Sequence, residues 1–375
     1  MVGLISLEKV TKIYPGSNEP VVDELDLSID KGEICVLVGA SGCGKTTTMR
    51  MINRIIEATS GSIFVDGKDI SKMDPIELRL GIGYVIQEIG LFPHYTIEKN
   101  IATVPIEKKW DKPRIDARIK ELMELVDLEY DVHAKKKPSA LSGGQKQRVG
   151  VARALAADPP VMLMDEPFGA LDPITRAKLQ NEFLSIQSHI KKTIVFVTHD
   201  IDEAVKMGDK IAVMQHGRLA QFGTPQDILI RPENEFVENL VGSNRVLKRF
   251  SLIICREVPL SSSVFKLNSE RDKIAEKIDN FAPVSAYPIL GVVDEDSRPI
   301  GFIPMFKYKQ GDGTSIEDRI VKPAHTVKES DTLYDALGAL FSSSHRGVFR
   351  INGEGISTGI ITMTDLFEAV RINAE

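Results

Sequence analysis

Eight residues, Gly39-Ala40-Ser41-Gly42-Cys43-Gly44-Lys45-Thr46, constrain this chain more than any other segment. They match GxxxxGK[ST] and stand between an apolar run, Glu33–Gly39, and a stretch with helical spacing. In that setting the glycines let backbone N–H groups turn inward around a triphosphate. The helix starting near Lys45 adds its positive end. Lys45 brings a point cation for the outer phosphates, and the Thr46 hydroxyl suits a hydrated Mg²⁺. Cys43 falls at a variable position and takes no redox role.

Further buried runs follow: Val161–Met164, Thr193–Val197 and Ile211–Met214, separated by helical segments such as Arg114–Val126 and Thr175–His189. Strands alternating with helices predict a parallel α/β core. Two strands, Leu4–Val10 and Val21–Ile29, precede it around a Pro15-Gly16-Ser17-Asn18 turn. Met49, Ile52, Ile55 and Ile56 are expected on one face of the helix after the loop. Arg231-Pro232-Glu233-Asn234 reads as a helix stop followed by an N-cap.

The 375-residue length allows two or three domains. A formal net charge of −6 argues against a general nucleic-acid surface. Cys35, Cys43 and Cys255 form no CxxC and read as reduced packing residues. No apolar run reaches the roughly 18–20 residues that cross a bilayer. The N-terminus reads as a strand and not as a signal peptide. Lys135-Lys136-Lys137, before Pro138, reads as a soluble turn.

Leu141-Ser142-Gly143-Gly144-Gln145, followed by Lys146-Gln147-Arg148, resembles the signature of the ATP-binding cassette (ABC) ATPases. Val161–Met164 ending in Asp165-Glu166 resembles the Walker B strand of that family, and Gly169-Ala170-Leu171-Asp172 its D-loop. The resemblance covers roughly residues 1–240 with every motif in order. It implies ATP and Mg²⁺ as ligands and a parallel P-loop core with an antiparallel β subdomain. It also implies a helical subdomain at about residues 90–155. Asp165 would hold Mg²⁺ through water, with Thr46 and Gln87, and Glu166 would act as general base. His199 would be the switch histidine, and Gln87 the Q-loop glutamine. The loop Gly39–Thr46 and Thr47 would cradle phosphates, and Tyr14 would stack on adenine. Ser142, Gly143, Gly144 and Gln145 would act in trans, on nucleotide held by a second copy, with Asp172 linking the two sites.

Tyr84-Val85-Ile86-Gln87-Glu88-Ile89-Gly90-Leu91-Phe92-Pro93-His94 resembles the Q-loop region of the bacterial quaternary-amine importers, as does Phe168–Arg176. That resemblance implies import of glycine betaine, carnitine or choline through a membrane permease. It further implies an extracytoplasmic binding protein and a place on the cytoplasmic face of the membrane.

Residues 245–375 hold a faint repeat, Gly291–Ile303 against Val348–Ile361, each copy preceded by a helical pattern (Glu270–Asn280 and Ser330–Phe341). Gly359-Ile360-Ile361-Thr362-Met363-Thr364-Asp365 resembles the strand-end motif of CBS domains, which implies an α+β pair at 245–310 and 315–375. Thr362 and Asp365 become candidates for an adenine nucleotide or cyclic di-AMP. The first copy, Gly301-Phe302-Ile303-Pro304-Met305-Phe306-Lys307, lacks both residues. His345 and Arg346 could meet an anionic ligand. The alternative is a pair that only dimerises and packs, in an importer of another solute. Two other classes fit the sequence poorly. A soluble ABC protein acting on ribosomes or DNA is opposed by the single cassette and the lack of heptads. An inactive sensory cassette is opposed by intact Lys45, Asp165, Glu166 and His199.

Overall fold

The structure, a computed structural model, describes all residues except 1–2, 88–89, 170, 261–263, 280–288, 305–313, 324, 344–346 and 373–375. The chain forms two compact units, residues 1–242 and 243–375.

In the first unit, Ile34–Val38, Thr193–Val197 and Val161–Asp165 are buried along their whole length. Such strands can only be central in a sheet covered on both faces. They lie in a six-stranded sheet whose order is Arg218–Gly223, Lys210–Gln215, Ile34–Val38, Thr193–Val197, Val161–Asp165, Ile82–Val85. All neighbours pair parallel except the hairpin at one edge, Lys210–Gln215 with Arg218–Gly223. His216 and Gly217 make its turn at φ 47° and 80°, the left-handed pair that a tight hairpin needs.

A second, four-stranded sheet runs Val22–Ile29, Ile5–Lys12, Ser60–Val65, Lys68–Asp69, with antiparallel pairing throughout. Its apolar face shares one core with the parallel sheet, through Leu7, Ile29, Leu37, Met49 and Val195. The chain between Ile82–Val85 and Val161–Asp165 supplies a helical layer: Ile97–Glu107, Lys112–Leu125, Tyr130–His133 and Gly143–Leu155. Asn234 caps the helix Glu235–Val241, accepting from Val237 N–H at 3.0 Å, as the Pro232 punctuation implies.

One expectation is corrected. The helix after the glycine loop spans Lys45–Ile52 and stops there, with Arg54 at φ 46° turning the chain away. Met49 and Ile52 are fully buried, but Ile55 lies beyond the last turn and is 49% exposed. Periodicity carried across a helix end assigns the wrong face.

The second unit contains the same small topology twice. Val264–Lys266 pairs parallel with Ile289–Val293, which pairs antiparallel with Pro299–Pro304. Thr326–Lys328 pairs parallel with Gly347–Ile351, which pairs antiparallel with Ser357–Thr362. Register slips by one residue at the equivalent place in each, Val292/Val293 and Arg350/Ile351. The helices Arg271–Asp279 and Leu333–Ser342 occupy the same position in each copy. A shared cluster of Ile289, Val293, Phe302, Phe349 and Ile360 joins the halves, with Phe302 and Phe349 stacked at 4.4 Å.

Packing crosses sequence order here. Phe250, Ile253, Cys255 and Val258 sit in the core of the second half, with Val327, Leu333 and Leu366. Ile316 and Ile320 pack on the core of the first half, and Val321 exchanges backbone hydrogen bonds with Phe302 at 2.8 Å. Arg350, 8% exposed, fastens the first of these crossings. It donates to the carbonyls of Cys255 at 2.7 Å and of Arg256 and Val258 at 3.3 Å, and to Thr358 Oγ1 at 2.9 Å. All three cysteines are free and buried, and burial pushes the Cys255 thiol up to about 12.

Candidate functional site

Chain geometry at the end of Ile34–Val38 makes a cradle. Gly39, Gly42 and Gly44 take φ values of 151°, 82° and 101°, which L side chains rarely adopt. A Cβ on Gly39 would strike the Met214 carbonyl, and one on Gly44 the Val21 carbonyl. The loop therefore wraps tightly into the start of helix Lys45–Ile52, the end of a helix where backbone N–H groups lack intrahelical partners. Lys45 is 6% exposed and folds back on the loop, donating to Gly39 O at 2.8 Å and Ala40 O at 2.9 Å, with Cys43 Sγ at 3.6 Å. An ammonium held among carbonyls beside an N–H cradle is suited to an anion with several oxygens.

Opposite the loop, the strand Val161–Asp165 delivers two carboxylates with different surroundings. Asp165 is buried and accepts from the Thr46 hydroxyl at 3.0 Å. Burial pushes its carboxyl above the ordinary value, and the Thr46 hydrogen bond opposes that. Glu166 follows in left-handed backbone, φ 43°, while its N–H still bonds to the Val197 carbonyl at 3.0 Å. Gln87 Nε2 donates to Glu166 Oε2 at 3.1 Å, and His199 Nδ1 lies 3.2 Å from Oε1. Three loops at the C-terminal ends of three parallel strands thus meet on one carboxylate. Ser41, Lys45, Thr46, Gln87, Glu166 and His199 line a single cleft.

The Thr46–Asp165 pair offers a hydroxyl and a carboxylate in contact, an all-oxygen set that fits a hard divalent cation. Among the described residues no cluster of three or more His, Cys, Asp or Glu could hold a metal by itself. The donor set fits Mg²⁺, which completes its shell with water and phosphate oxygens.

Tyr14 stands at the edge of this region, its hydroxyl 3.4 Å from Thr47 Oγ1, with Lys12 Nζ 5.3 Å from its ring centre. The other expected residues lie elsewhere. Ser142 is the N-cap of helix Gly143–Leu155 and shares a reciprocal box with Gln145, through Gln145 N–H to Ser142 Oγ at 3.3 Å and Ser142 N–H to Gln145 Oε1 at 3.0 Å. Neither they nor Gly143 and Gly144 line the Lys45 cleft. Asp172 caps helix Pro173–Ile190, accepting from Thr175 N–H at 3.0 Å, a bond that holds its carboxyl below the ordinary value. Glu88, Ile89, Ala170, Met305, Phe306, Lys307, His345 and Arg346 lie outside the described residues. A residue that sequence reasoning passed over is Arg153, whose Nη1 holds the Gly90 carbonyl at 2.7 Å just after the Gln87 segment. Nothing local in the sequence marks that long-range contact.

In the second unit, Thr362 and Asp365 are spent on each other. Asp365, 2% exposed, accepts from Thr362 N–H at 2.8 Å and Thr362 Oγ1 at 2.7 Å. The pair closes the start of helix Met363–Ile372.

Parallel strands, a glycine cradle with Lys45 and Thr46, and an acidic strand end define a P-loop nucleoside-triphosphatase. Residues 22–169 match the ABC transporter family, and residues 316–372 match the CBS domain. The osmoprotectant import ATP-binding protein OsmV of Salmonella typhimurium is 43% identical over 368 residues, covering 96% of this chain and 94% of its own. The glycine betaine/carnitine/choline transport ATP-binding protein OpuCA of Bacillus subtilis is 42% identical over 375 residues, covering 98% and 96%. A solved dimeric ATP-binding cassette in a post-hydrolysis state, bound to ADP and Pi, is similar at 33% identity and a TM-score of 0.53. It covers 59% of this chain and 98% of its own. The chain belongs to the ABC transporter ATP-binding family, in the group of osmoprotectant importer subunits with a C-terminal CBS region. It is an ABC-type ATPase.

Proposed function

We propose that this chain powers the import of a quaternary ammonium osmoprotectant, in the class of glycine betaine, carnitine and choline, through a partner permease. The similarity to relatives named for that cargo runs through the tail as well as the cassette, and this carries the reading.

Within one subunit the chemistry is positioning and charge. The loop Gly39–Thr47 orients the phosphates, and Lys45 exchanges its carbonyl partners for phosphate oxygens. Thr46 and Asp165, with Gln87 nearby, would hold Mg²⁺, which when bound would supply positive charge against the phosphates. Glu166 takes the proton of the attacking water. Its two oxygens are already addressed by Gln87 and His199, so the carboxylate is held in one orientation before water arrives. Tyr14 packs against the adenine.

Ser142, Gly143, Gly144 and Gln145 complete the site of a second copy in a head-to-tail dimer, and Asp172 lies between the two sites. The exposed positive end of the helix after Ser142 suits the phosphates held by that copy. The permease seats in a groove beside Gln87, lined by Ile55, Tyr84, Ile86, Phe92, Val104 and Arg153. Ile55, Ile86 and Phe92 are 49%, 37% and 43% exposed there. No described helix is long and apolar enough to cross a membrane, so the permease supplies the passage. The complex lies on the cytoplasmic face and receives cargo from an extracytoplasmic binding protein. It needs no nucleic acid. The CBS region acts as a regulatory sensor, and an adenine nucleotide or cyclic di-AMP reaching Thr362 and Asp365 must displace their mutual hydrogen bonds.

The deciding experiment reconstitutes the chain with its permease and binding protein and measures ATPase activity with candidate solutes. Glycine betaine, carnitine or choline should stimulate turnover. Stimulation by sugars or common amino acids alone would remove the cargo assignment.

A further inference from the structure

His133 stands outside every motif that marks this family, yet its imidazole meets the signature. It closes the short helix Tyr130–His133 and is half-buried. Its Nδ1 lies 3.1 Å from the Glu129 carbonyl, and its Nε2 lies 3.4 Å from Gln145 Nε2. Both contacts fix the same protonation pattern. A carbonyl only accepts, so Nδ1 carries the proton and Nε2 is left as a bare acceptor. From the other end, Gln145 Oε1 faces the Ser142 N–H at 3.0 Å, so the amide turns its NH₂ toward His133. At each contact from Glu129 through His133 and Gln145 to Ser142 a donor thus faces an acceptor.

We propose that His133 is a positioning residue for the signature: it anchors the free end of the Gln145 amide and thereby holds Ser142. An amide fixed only through Oε1 swings about its last torsion, which is broad. The second anchor at Nε2 removes that freedom. The Gln145 N–H is bonded to Ser142 Oγ at 3.3 Å, so the N–H and the hydroxyl of Ser142 both depend on where Gln145 sits. His133 therefore acts at a distance from its own subunit's cleft, on the surface offered to a second copy. The inference rests on the proposed role of Ser142–Gln145 in trans.

The test compares full-length chains. His133→Phe keeps the ring's bulk and loses the acceptor; His133→Gln supplies an acceptor at similar reach. Removing one hydrogen bond should lower kcat by about two- to tenfold. Binding of a fluorescent ATP analogue to the monomer should be unchanged. ATP-driven dimerisation, read by size exclusion in a Glu166→Gln background, should weaken by a similar factor. H133Q should recover most of both losses. Wild-type turnover in H133F, equal losses in H133F and H133Q, or lost nucleotide binding by the monomer would each overturn the proposal. Were H133F to lose its cooperative melt, H133L against H133Q gives the same comparison. Ser142→Ala runs alongside. If S142A is inactive while H133F is normal, only the role of His133 falls. If S142A hydrolyses normally, the trans site falls with it.

Discussion

The two units of this chain treat polar side chains in opposite ways. In residues 1–242, Lys45 and Thr46, Gln87, Glu166 and His199 arrive from four separate segments and converge on one open cleft. Gln87 and His199 meet on Glu166, and all five side chains line that space. In residues 243–375 a few polar groups are turned inward. Thr362 and Asp365 satisfy each other and a helix start, and Arg350 is consumed by backbone carbonyls. Polar residues that line one open cleft belong to a site that expects a ligand. Polar residues that close on each other first of all hold a fold.

That contrast can be broken most decisively at Glu166. Glu166→Gln should lower ATP turnover by about a hundredfold or more, with nucleotide binding retained. A phosphate-release assay beside a binding titration checks it, and unchanged turnover would remove Glu166 as the base. In the second unit Arg350→Met should act on stability and not on catalysis. Three carbonyls and Thr358 lose their donor, which costs about 3 kcal/mol. Denaturant unfolding should show an early transition while the ATPase rate of the folded protein is unaltered. Asp365→Ala removes a helix-start acceptor and should cost about 1 kcal/mol, read from the same unfolding curves.

The smallest effect sharpens the comparison from inside the first unit. Glu203 is 7% exposed and accepts from Gln180 Nε2 at 3.0 Å. Burial raises its pKa above the ordinary 4.5. The folded protein therefore holds this proton more tightly than the unfolded chain does, and stability from that proton is lost as pH rises toward the folded pKa. Glu203→Gln carries no such charge. Its melting temperature relative to wild type should be lowest below pH 4.5 and climb as pH increases. A constant difference across pH would show that Glu203 does not titrate in this way.

The cassette was legible because its motifs are local. Gly39, Gly42 and Gly44 announce a loop that only glycine can build, and a buried apolar run ending in Asp165-Glu166 announces its own strand and its end. Ser142 and Gln145 were legible as a signature, and the structure adds that they also form a capping box. What sequence spacing could not reveal are the contacts between distant residues. The Arg153–Gly90 bond spans 63 positions, and the Arg350–Cys255 bond spans 95. The repeat in the tail was visible in its strands, but not the exchange of flanking segments between the halves. Those segments, Phe250–Val258 and Ile316–Val321, have no pattern of their own; only the cores they complete explain them.

That exchange changes what happens when the chain is shortened. A cut before residue 315 keeps the strands of the first half but discards Ile316, Ile320 and Val321, and strips the cover from Phe250 and Cys255. The tail cannot be shed one repeat at a time, as beads from a string. It is laced like a shoe, so that the stretch just past the cassette is tied down by the last turn of the lace. An insertion is therefore best tolerated near the boundary at 242–243, and a deletion series through this tail should lose the whole of it in a single step.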